Sequence, residues 1–584
     1  MDTKLIKDPV HGYIRLKDSY IKNIVDSSEF QRLRNIRQTS YDSLYPGSSH
    51  NRFIHSLGVY YLGHKAFKEL KKNASDLFHG MDEKEWICLQ STFDIACLLH
   101  DIGHTPFSHS GEDFLLIKKE ADKFNIIKRA LGQTSQPEIE VVYNQLLETM
   151  QEMLDEKDFK AFLADFSYTV SGSINYDGKA VVAKPHEIMS VIVAISVYTP
   201  FMKKLQVDID LFARAILGIT YQKKSVASKG VRNALIQLLN SSIIDVDRLD
   251  YIIRDTQMSG FDNTTIDVER LLESVTIIKK KDGNYTLAYK KNALSTIDNV
   301  IISYDAERRW IQAHPVVIYD SYLVEQCLAA IEKHFKMGDS QQGIFQRDAL
   351  GQKGVRTANG LQIKLLNDGD CLFLMKQLSN DETNGCVEEY LERKKRKQPI
   401  WKSEEEFRMI MDQLPQSEQE SFHYIFGANN EEINGTSIGS VLNNERIKEI
   451  ELEIEKNKKD QDMNEEDKDN HILILQKQLF WLKRLEKYFV QRDMDFEMYN
   501  KKAKTFQSKI NELSSQGLQI RFERLKEDKD ISKVSKVYKM IEYENRNMNL
   551  IYWYIHKSKK FEFLDFVEFL KETSREFEVE FRRG

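Results

Sequence analysis

Between His100 and His109 the sequence reads HDIGHTPFSH, so three histidines and an aspartate share ten residues of a chain with 14 histidines in 584. Neighbouring imidazole and carboxylate groups do two kinds of chemistry: they ligate divalent cations, and they move protons near neutral pH. The run before them, WICLQSTFDIACLLHD, is apolar nearly all round, which marks a buried helix. Gly103 and Pro106 end that helix, placing His100 and Asp101 in its last turn. An unpaired His–Asp pair buried there carries a large desolvation penalty, and a bound cation removes it. His100 and Asp101 supply only two ligands, and a mononuclear site needs at least two more. Seven of the 14 histidines fall between residues 50 and 109. Among them His55 lies on an amphipathic helix behind SHNRF, with Phe53, Leu57, Tyr60, Tyr61 and Phe67 at helical spacing. For an acidic partner, SSIIDVDRLDYIIRD offers Asp245, Asp247, Asp250 and Asp255 on one helix. Taken on residue types alone, a metal site competes with a satisfied core histidine network.

The elements that must position these residues come from pattern and composition. With 41% hydrophobic and 30% charged residues, the chain reads as globular with a highly charged surface, and its length implies two or more domains. A net charge of −6 argues against a general binder of nucleic acid or anionic membranes. No apolar run reaches the length of a membrane span, and the N-terminus lacks the features of a signal peptide. The five scattered cysteines show no CxxC spacing, which suits a reducing cytoplasm and argues against a disulfide framework or a thiolate zinc site. The expected fold is mostly α: a helical core with small β-hairpins, then a charged helical C-terminal region. Residues 1–370 read as the core, with an insertion at about 111–185, and residues 371–584 as a mainly helical region with a helical hairpin at about 440–530. A β-hairpin is expected around Asp282–Gly283, ahead of a helix from about 291 to 313. The basic run RKKRK at 393–397 reads as a solvated face.

DPVHGYIRL, QRLRNIRQ, PGSSHNRFIHSLGV, LLHDIGHTPFSH and IDVDRLDYIIRD occur in that order. Together they resemble the HD-domain superfamily, and more narrowly the deoxynucleoside triphosphate triphosphohydrolases, including the bacterial dGTPases. The likeness is dense over about residues 1–330 and fades by about 400. It implies that His55, His100, Asp101 and Asp247 hold one divalent metal (Mn, Fe, Zn, Ni or Mg), with a further Mg accompanying the substrate triphosphate. His109 would then be the general acid/base, oriented by Glu112 one helical turn on, while His104 and His186 line the phosphates. Arg52 and Arg248 would neutralise phosphate charge, Arg248 standing where the family usually has lysine. Gln38, Tyr251 and Asp255 would meet the sugar, and Gln312 matches a family glutamine. The neighbouring family tyrosine is Ile311 here, and an expected arginine is Ser303, so base preference cannot be carried over.

The implied activity is hydrolysis of dNTPs to deoxynucleoside and inorganic triphosphate in the cytoplasm, serving pool control or antiphage defence. Family members assemble as oligomers (dimer, tetramer or hexamer) and respond to a second nucleotide. Lys4, Asp26, Gln31 and Arg34 match an allosteric guanine-nucleotide site, although QRLR also reads as an ordinary helix with an internal pair. The alternatives are another HD phosphohydrolase (a nucleotidase, or a cyclic nucleotide or alarmone hydrolase) and a non-catalytic nucleotide-sensing or single-stranded nucleic-acid scaffold.

Overall fold

The computed structural model describes residues 2–75, 81–116, 140–172, 183–241, 244–261, 265–337, 343–383, 385–414, 432–433, 436–437, 440–459, 465–502, 518–545 and 551–581. The chain divides into two compact units. The first comprises residues 1–308, 324–384 and 506–546, and the second residues 309–323, 385–505 and 547–584. A single cut near residue 370 is therefore not how the polypeptide is organised, because it passes from one unit to the other and back.

The first unit opens with the antiparallel strands β1 (Thr3–Asp8) and β2 (Gly12–Lys17), whose Ile14 and Leu16 turn inward. Helix α1 (Arg52–Ala74) begins at Asn51, whose side chain accepts the Ile54 N–H at 3.2 Å, so SHNRF is a capping sequence. Its entry is fixed by backbone bonds from Gln38 N–H to the His50 carbonyl and from Arg52 N–H to the Ile36 carbonyl, each 3.0 Å. Helix α2 (Glu83–Leu99) is capped by Asp82, and from Phe93 to Leu99 every residue is buried, as its apolar run requires.

Helix α3 (Pro185–Lys204) starts with proline in its first turn, where a missing N–H is tolerated. Helix α4 (Val246–Ser259) is bounded by the Asp245 cap and by Gly260, whose φ of +73° ends it in the left-handed conformation. Strands β3 (Val275–Lys279) and β4 (Tyr285–Lys290) form the expected hairpin, turning at Gly283 with φ +86°. Helix α5 (Leu294–Glu307) is shorter than the expected 291–313, because a 3₁₀ turn precedes it and a π-helical turn over Arg308–Gln312 follows. Helix α6 (Asp368–Met375) is the last element that bears on the site.

Within the expected insertion, Glu140–Met153 and Glu156–Gly172 are helical. Its segments 117–139 and 173–182 lie outside the described residues.

The region after 371 is mainly helical among its described residues, as expected, and adds strands that the sequence reading did not place. Its helical pair is Asn444–Lys459 with Glu465–Gln491, and the pairing stops there rather than at 530. Strand Glu497–Lys502 lies in a four-stranded antiparallel sheet with Ser440–Asn443, Ile551–His556 and Lys397–Pro399. This sheet and the helices around it bury Trp401, Trp481, Trp553, Tyr499 and Phe566 in the core of the second unit. Strand Gln519–Phe522 instead runs parallel to β4 in the first unit, with Glu527–Asp530 antiparallel to it. The high charge of these segments hides their alternation from a sequence reading. In RKKRK, Arg396 pairs with Asp320 and Lys397 with Glu497, so part of that run is tied into ion pairs. No described helix is long and apolar enough to cross a membrane.

Candidate active site

The site forms where α1, the end of α2 and the start of α4 meet. His55, in the second turn of α1, is fully buried, and its Nδ1 lies 2.7 Å from Asp250 Oδ2. His100 follows the last residue of α2 and spends Nδ1–H on the Cys97 carbonyl at 2.9 Å. Both rings therefore turn Nε2 inward, and these two nitrogens lie 3.3 Å apart. Asp247 Oδ1 is 2.9 Å from His55 Nε2 and 3.6 Å from His100 Nε2. Asp101 carboxylate oxygens lie 3.4 Å from His100 Nε2 and 3.6 Å from His55 Nε2. Ligands at about 2.1 Å from a common ion, subtending 90–110°, are about 3.0–3.4 Å from one another. His55, His100 and Asp101 bring one donor atom each close enough together to hold a cation, and Asp247 Oδ1 stands beside both imidazoles, so the donor set fits a divalent cation in chemistry.

Electrostatics agree with this fit. Burial disfavours a second proton on His55, yet Asp247 and Asp250 outweigh it and raise its pKa to about 9. Burial also opposes the charge on Asp101, but Arg52, His100 and His104 hold its carboxyl well below the usual range. The cluster thus attracts positive charge strongly.

A second shell holds the first. Asp250 receives His11 Nε2 at 2.6 Å, along with the Arg254 guanidinium at 2.9 and 3.0 Å. Arg254 reaches on to Asp8 at 2.9 Å. This carboxylate–histidine arrangement fixes the His55 tautomer. Gly58 makes it possible: a Cβ there would lie 1.9 Å from Asp250 Oδ1. Sequence reading included Asp250 among four candidate aspartates and could not sort them. Asp245 caps α4 by accepting the Arg248 N–H at 2.6 Å, Asp247 faces the imidazoles, Asp250 backs His55, and Asp255 meets His50 Nε2 at 2.6 Å.

Beside the cage three more histidines surround one carboxylate. Glu112 Oε1 lies 2.5 Å from His109 Nδ1, 2.7 Å from His186 Nδ1 and 3.8 Å from His104 Nδ1. His104 and His186 stack with centroids 3.9 Å apart. Burial, with Arg52 and His186 nearby, pushes the His104 pKa well down, so this ring is neutral. Neither of its nitrogens has an aligned hydrogen-bond partner among the described residues, although both are buried. His109 differs: Glu112 takes Nδ1, and 54% of the side chain is open to solvent. The walled recess around His109 lowers its affinity for a second proton; Glu112 pulls the other way, and solvent moderates the shift.

The remaining expected residues are distributed unevenly. Arg52 is buried, and its guanidinium already binds Asp101 (2.7 Å), Ser108 Oγ (2.9 Å) and the Gln38 carbonyl (3.2 Å). Arg248 lies over the Tyr304 ring, and Tyr251 is half-buried next to both in charge environment. Gln38 is buried with Oε1 lacking a partner among the described residues. Asp255 has one oxygen committed to His50, a partner that sequence reading missed although His50 stands in the SHNRF motif. Gln312 belongs to the second unit.

Lys184, the residue before α3, has its Nζ 3.9 Å from Glu187, and burial opposes its charge while Glu187, Asp247 and Glu112 favour it. Of the four allosteric candidates, Gln31 and Arg34 bond to each other at 2.8 Å and Gln31 caps the Val25 carbonyl. Lys4 instead pairs with Asp18, and Asp26 is exposed.

The HD-domain family model matches residues 52–161. An uncharacterized protein, YwfO, from Bacillus subtilis (strain 168) is 28% identical over 321 residues, 54% of this chain and 53% of that protein. The deoxynucleoside triphosphate triphosphohydrolase SAMHD1 of Homo sapiens is 44% identical over 107 residues, 18% of this chain and 16% of that protein. A hypothetical protein from Aquifex aeolicus shares the fold, with a TM-score of 0.50 at 16% identity, covering 99% of this chain and all of that one. The chain thus spans about half the length of YwfO and under a fifth of SAMHD1. Residues 52–161 of this chain match an HD domain, and over that region the ordered motifs and the His–Asp cluster are similar to those of dNTP triphosphohydrolases.

Proposed function

We propose that this chain hydrolyses dNTPs to deoxynucleoside and inorganic triphosphate, using a divalent cation held by His55, His100, Asp101 and Asp247. The observation that supports this reading is the pair of adjoining arrangements: the His–Asp cluster, and next to it the buried His104, which lies 3.2 Å from Asp101 and stacks on His186, one of two histidines that share Glu112. A cation bound in the cage supplies Lewis-acid charge opposite the phosphates. His104, His186, Arg52, Arg248 and Lys184 bind and neutralise the triphosphate. Water attacks the α-phosphorus and gives up a proton to solvent, the bond from that phosphorus to the 5′-oxygen breaks, and His109, once it has taken up a second proton, delivers it from Nε2 to the departing 5′-oxygen while Glu112 holds Nδ1–H.

Gln38, Tyr251 and Asp255 are proposed to contact the nucleoside. For Asp255 this requires its second oxygen, because His50 takes the first. The reading extends to a further Mg with the triphosphate, to assembly as a homo-oligomer, and to a second, regulatory nucleotide near Lys4, Asp26, Gln31 and Arg34.

A metal-supplemented screen of every dNTP, alone and in pairs, tests this, with chromatographic separation of nucleoside and tripolyphosphate. Release of phosphate or pyrophosphate would assign the site to another HD phosphohydrolase. Inertness with every metal and pairing would leave a nucleotide-sensing scaffold.

A further inference from the structure

The loop between the cage and Glu112 adopts a backbone that its residues do not favour. Phe107 and Ser108 both have left-handed angles, with φ 58° and 52°, a region that residues bearing a Cβ rarely enter. Two such residues in succession persist only where their surroundings impose them. Ser108 is held through its hydroxyl, which donates to the Arg37 carbonyl at 2.5 Å and accepts Arg52 Nε–H at 2.9 Å. Phe107 is held from farther along the chain: its N–H donates to Asp368 Oδ1 at 2.8 Å. Asp368 Oδ2 accepts the Arg37 N–H at 2.9 Å, so Arg37 touches the loop by its carbonyl and Asp368 by its amide.

The same distant segment grips the other end of the loop. Leu366, two residues before Asp368, gives its carbonyl to Arg32 at 2.9 Å; the same guanidinium binds the carbonyls of His104 (2.9 Å) and Ile102 (2.7 Å). Arg32 and Asp368 are both buried.

We propose that Asp368 is a positioning residue for the reaction: by tying the amides of Arg37 and Phe107 together it holds the left-handed Phe107–Ser108 pair and so aims His109 at the scissile bond. This rests on the dNTPase reading for its kinetic consequence and on geometry alone for its structural one. Asp368 touches no substrate; it acts through the backbone of the loop. Burial raises its pKa to about 6, while the two amides it accepts pull the other way.

The test is D368N in the full-length protein, with D370N as the comparison. Asp370 lies on the same first turn of α6 and accepts only the Asn367 N–H at 2.9 Å. An asparagine at 368 has one acceptor oxygen for two amides. The proposal expects D368N to lower kcat about tenfold or more with KM and metal content within about twofold, while D370N stays within about twofold in all three. Amide hydrogen exchange in the peptide covering 104–110 should quicken about tenfold in D368N, and the peptide covering 83–99 should not change. Unchanged exchange at 104–110 overturns the proposal, as does faster exchange with unaltered kcat, or a matching kcat loss in D370N. A wild-type protein that hydrolyses no dNTP refutes the functional reading alone, because the exchange measurement still reads the Asp368 tie.

Discussion

Gly58→Ala is the sharpest probe of the shell behind His55. A methyl group here would sit 1.9 Å from Asp250 Oδ1, 2.4 Å from an Arg254 nitrogen and 2.7 Å from Asp250 Cγ. Ordinary contact begins at 3.4 Å, so Asp250 Oδ1 must retreat by roughly 1.5 Å. That distance breaks its 2.6 Å bond to His11 and its 3.0 Å bond to Arg254. Asp250 is fully buried and has no solvent into which to swing. Replacing a helical glycine with alanine returns up to about 1 kcal/mol of backbone entropy. Against this stand overpacking, about 1–3 kcal/mol, and charged hydrogen bonds of about 1.5–3 kcal/mol each.

The net expectation for Gly58→Ala is a loss of about 3–8 kcal/mol, or roughly 6–16 °C in Tm at about 2 °C per kcal/mol for a large domain. Metal affinity should fall as well, since His55 loses the partner that sets its tautomer. Calorimetry with metal analysis after dialysis measures both. Gly63→Ala is the internal control: its new methyl would meet the Cys97 sulfur at 2.6 Å and a Phe93 ring carbon at 3.3 Å, neither of them a charged side chain. If Gly58→Ala melts at or above the wild-type temperature with its metal retained, the reasoning about Asp250 is wrong.

Asp250→Asn should weaken metal binding about 10–100-fold by chelator competition, and unchanged affinity would deny Asp250 its orienting role. His109→Ala should abolish dNTP hydrolysis while leaving metal content intact; near-normal turnover would remove His109 from the mechanism. Arg32→Met should destabilise the first unit by about 3–5 kcal/mol in denaturant unfolding, because three buried carbonyls lose their donor. Asp368 also makes a pH prediction. Its folded pKa of about 6 lies above the ordinary 3.8, so the folded state binds this proton more tightly. The associated stability is complete below about pH 4 and is lost as pH rises through 6. Between pH 4.5 and 7.5 the stability of D368N relative to wild type should therefore rise by about 2 kcal/mol, and a flat difference would contradict it.

What the sequence made legible follows from locality. HDIGHTPFSH, the Asn51 cap before His55 and the three-residue step from His109 to Glu112 are each contained within a few turns, so residue type and spacing suffice. The four aspartates of IDVDRLDYIIRD were all visible, but their separate roles depend on what faces each one across the fold. His50 and Asp255 meet across 205 positions, and Asp368 reaches back 261 to Phe107, so no window along the chain contains either pair. Arg32 sits in QRLR, a motif noticed for Gln31 and Arg34, and its burial rather than its type marks it out. Strands 497–502 and 519–522 were missed because lysine and glutamate flank their inward residues.

The parallel pairing of Gln519–Phe522 with β4 sets a timetable. Every cage residue lies before position 248, yet about 230 residues must be made after β4 before its neighbouring strand exists. At roughly 5–20 residues per second, translation takes roughly 10–45 s to cover that distance. Throughout this interval one edge of β4 is an open row of amides and carbonyls, the template on which strands from other chains pair. Nascent protein is therefore most exposed to misassembly after its chemistry has been encoded and before its sheet is closed.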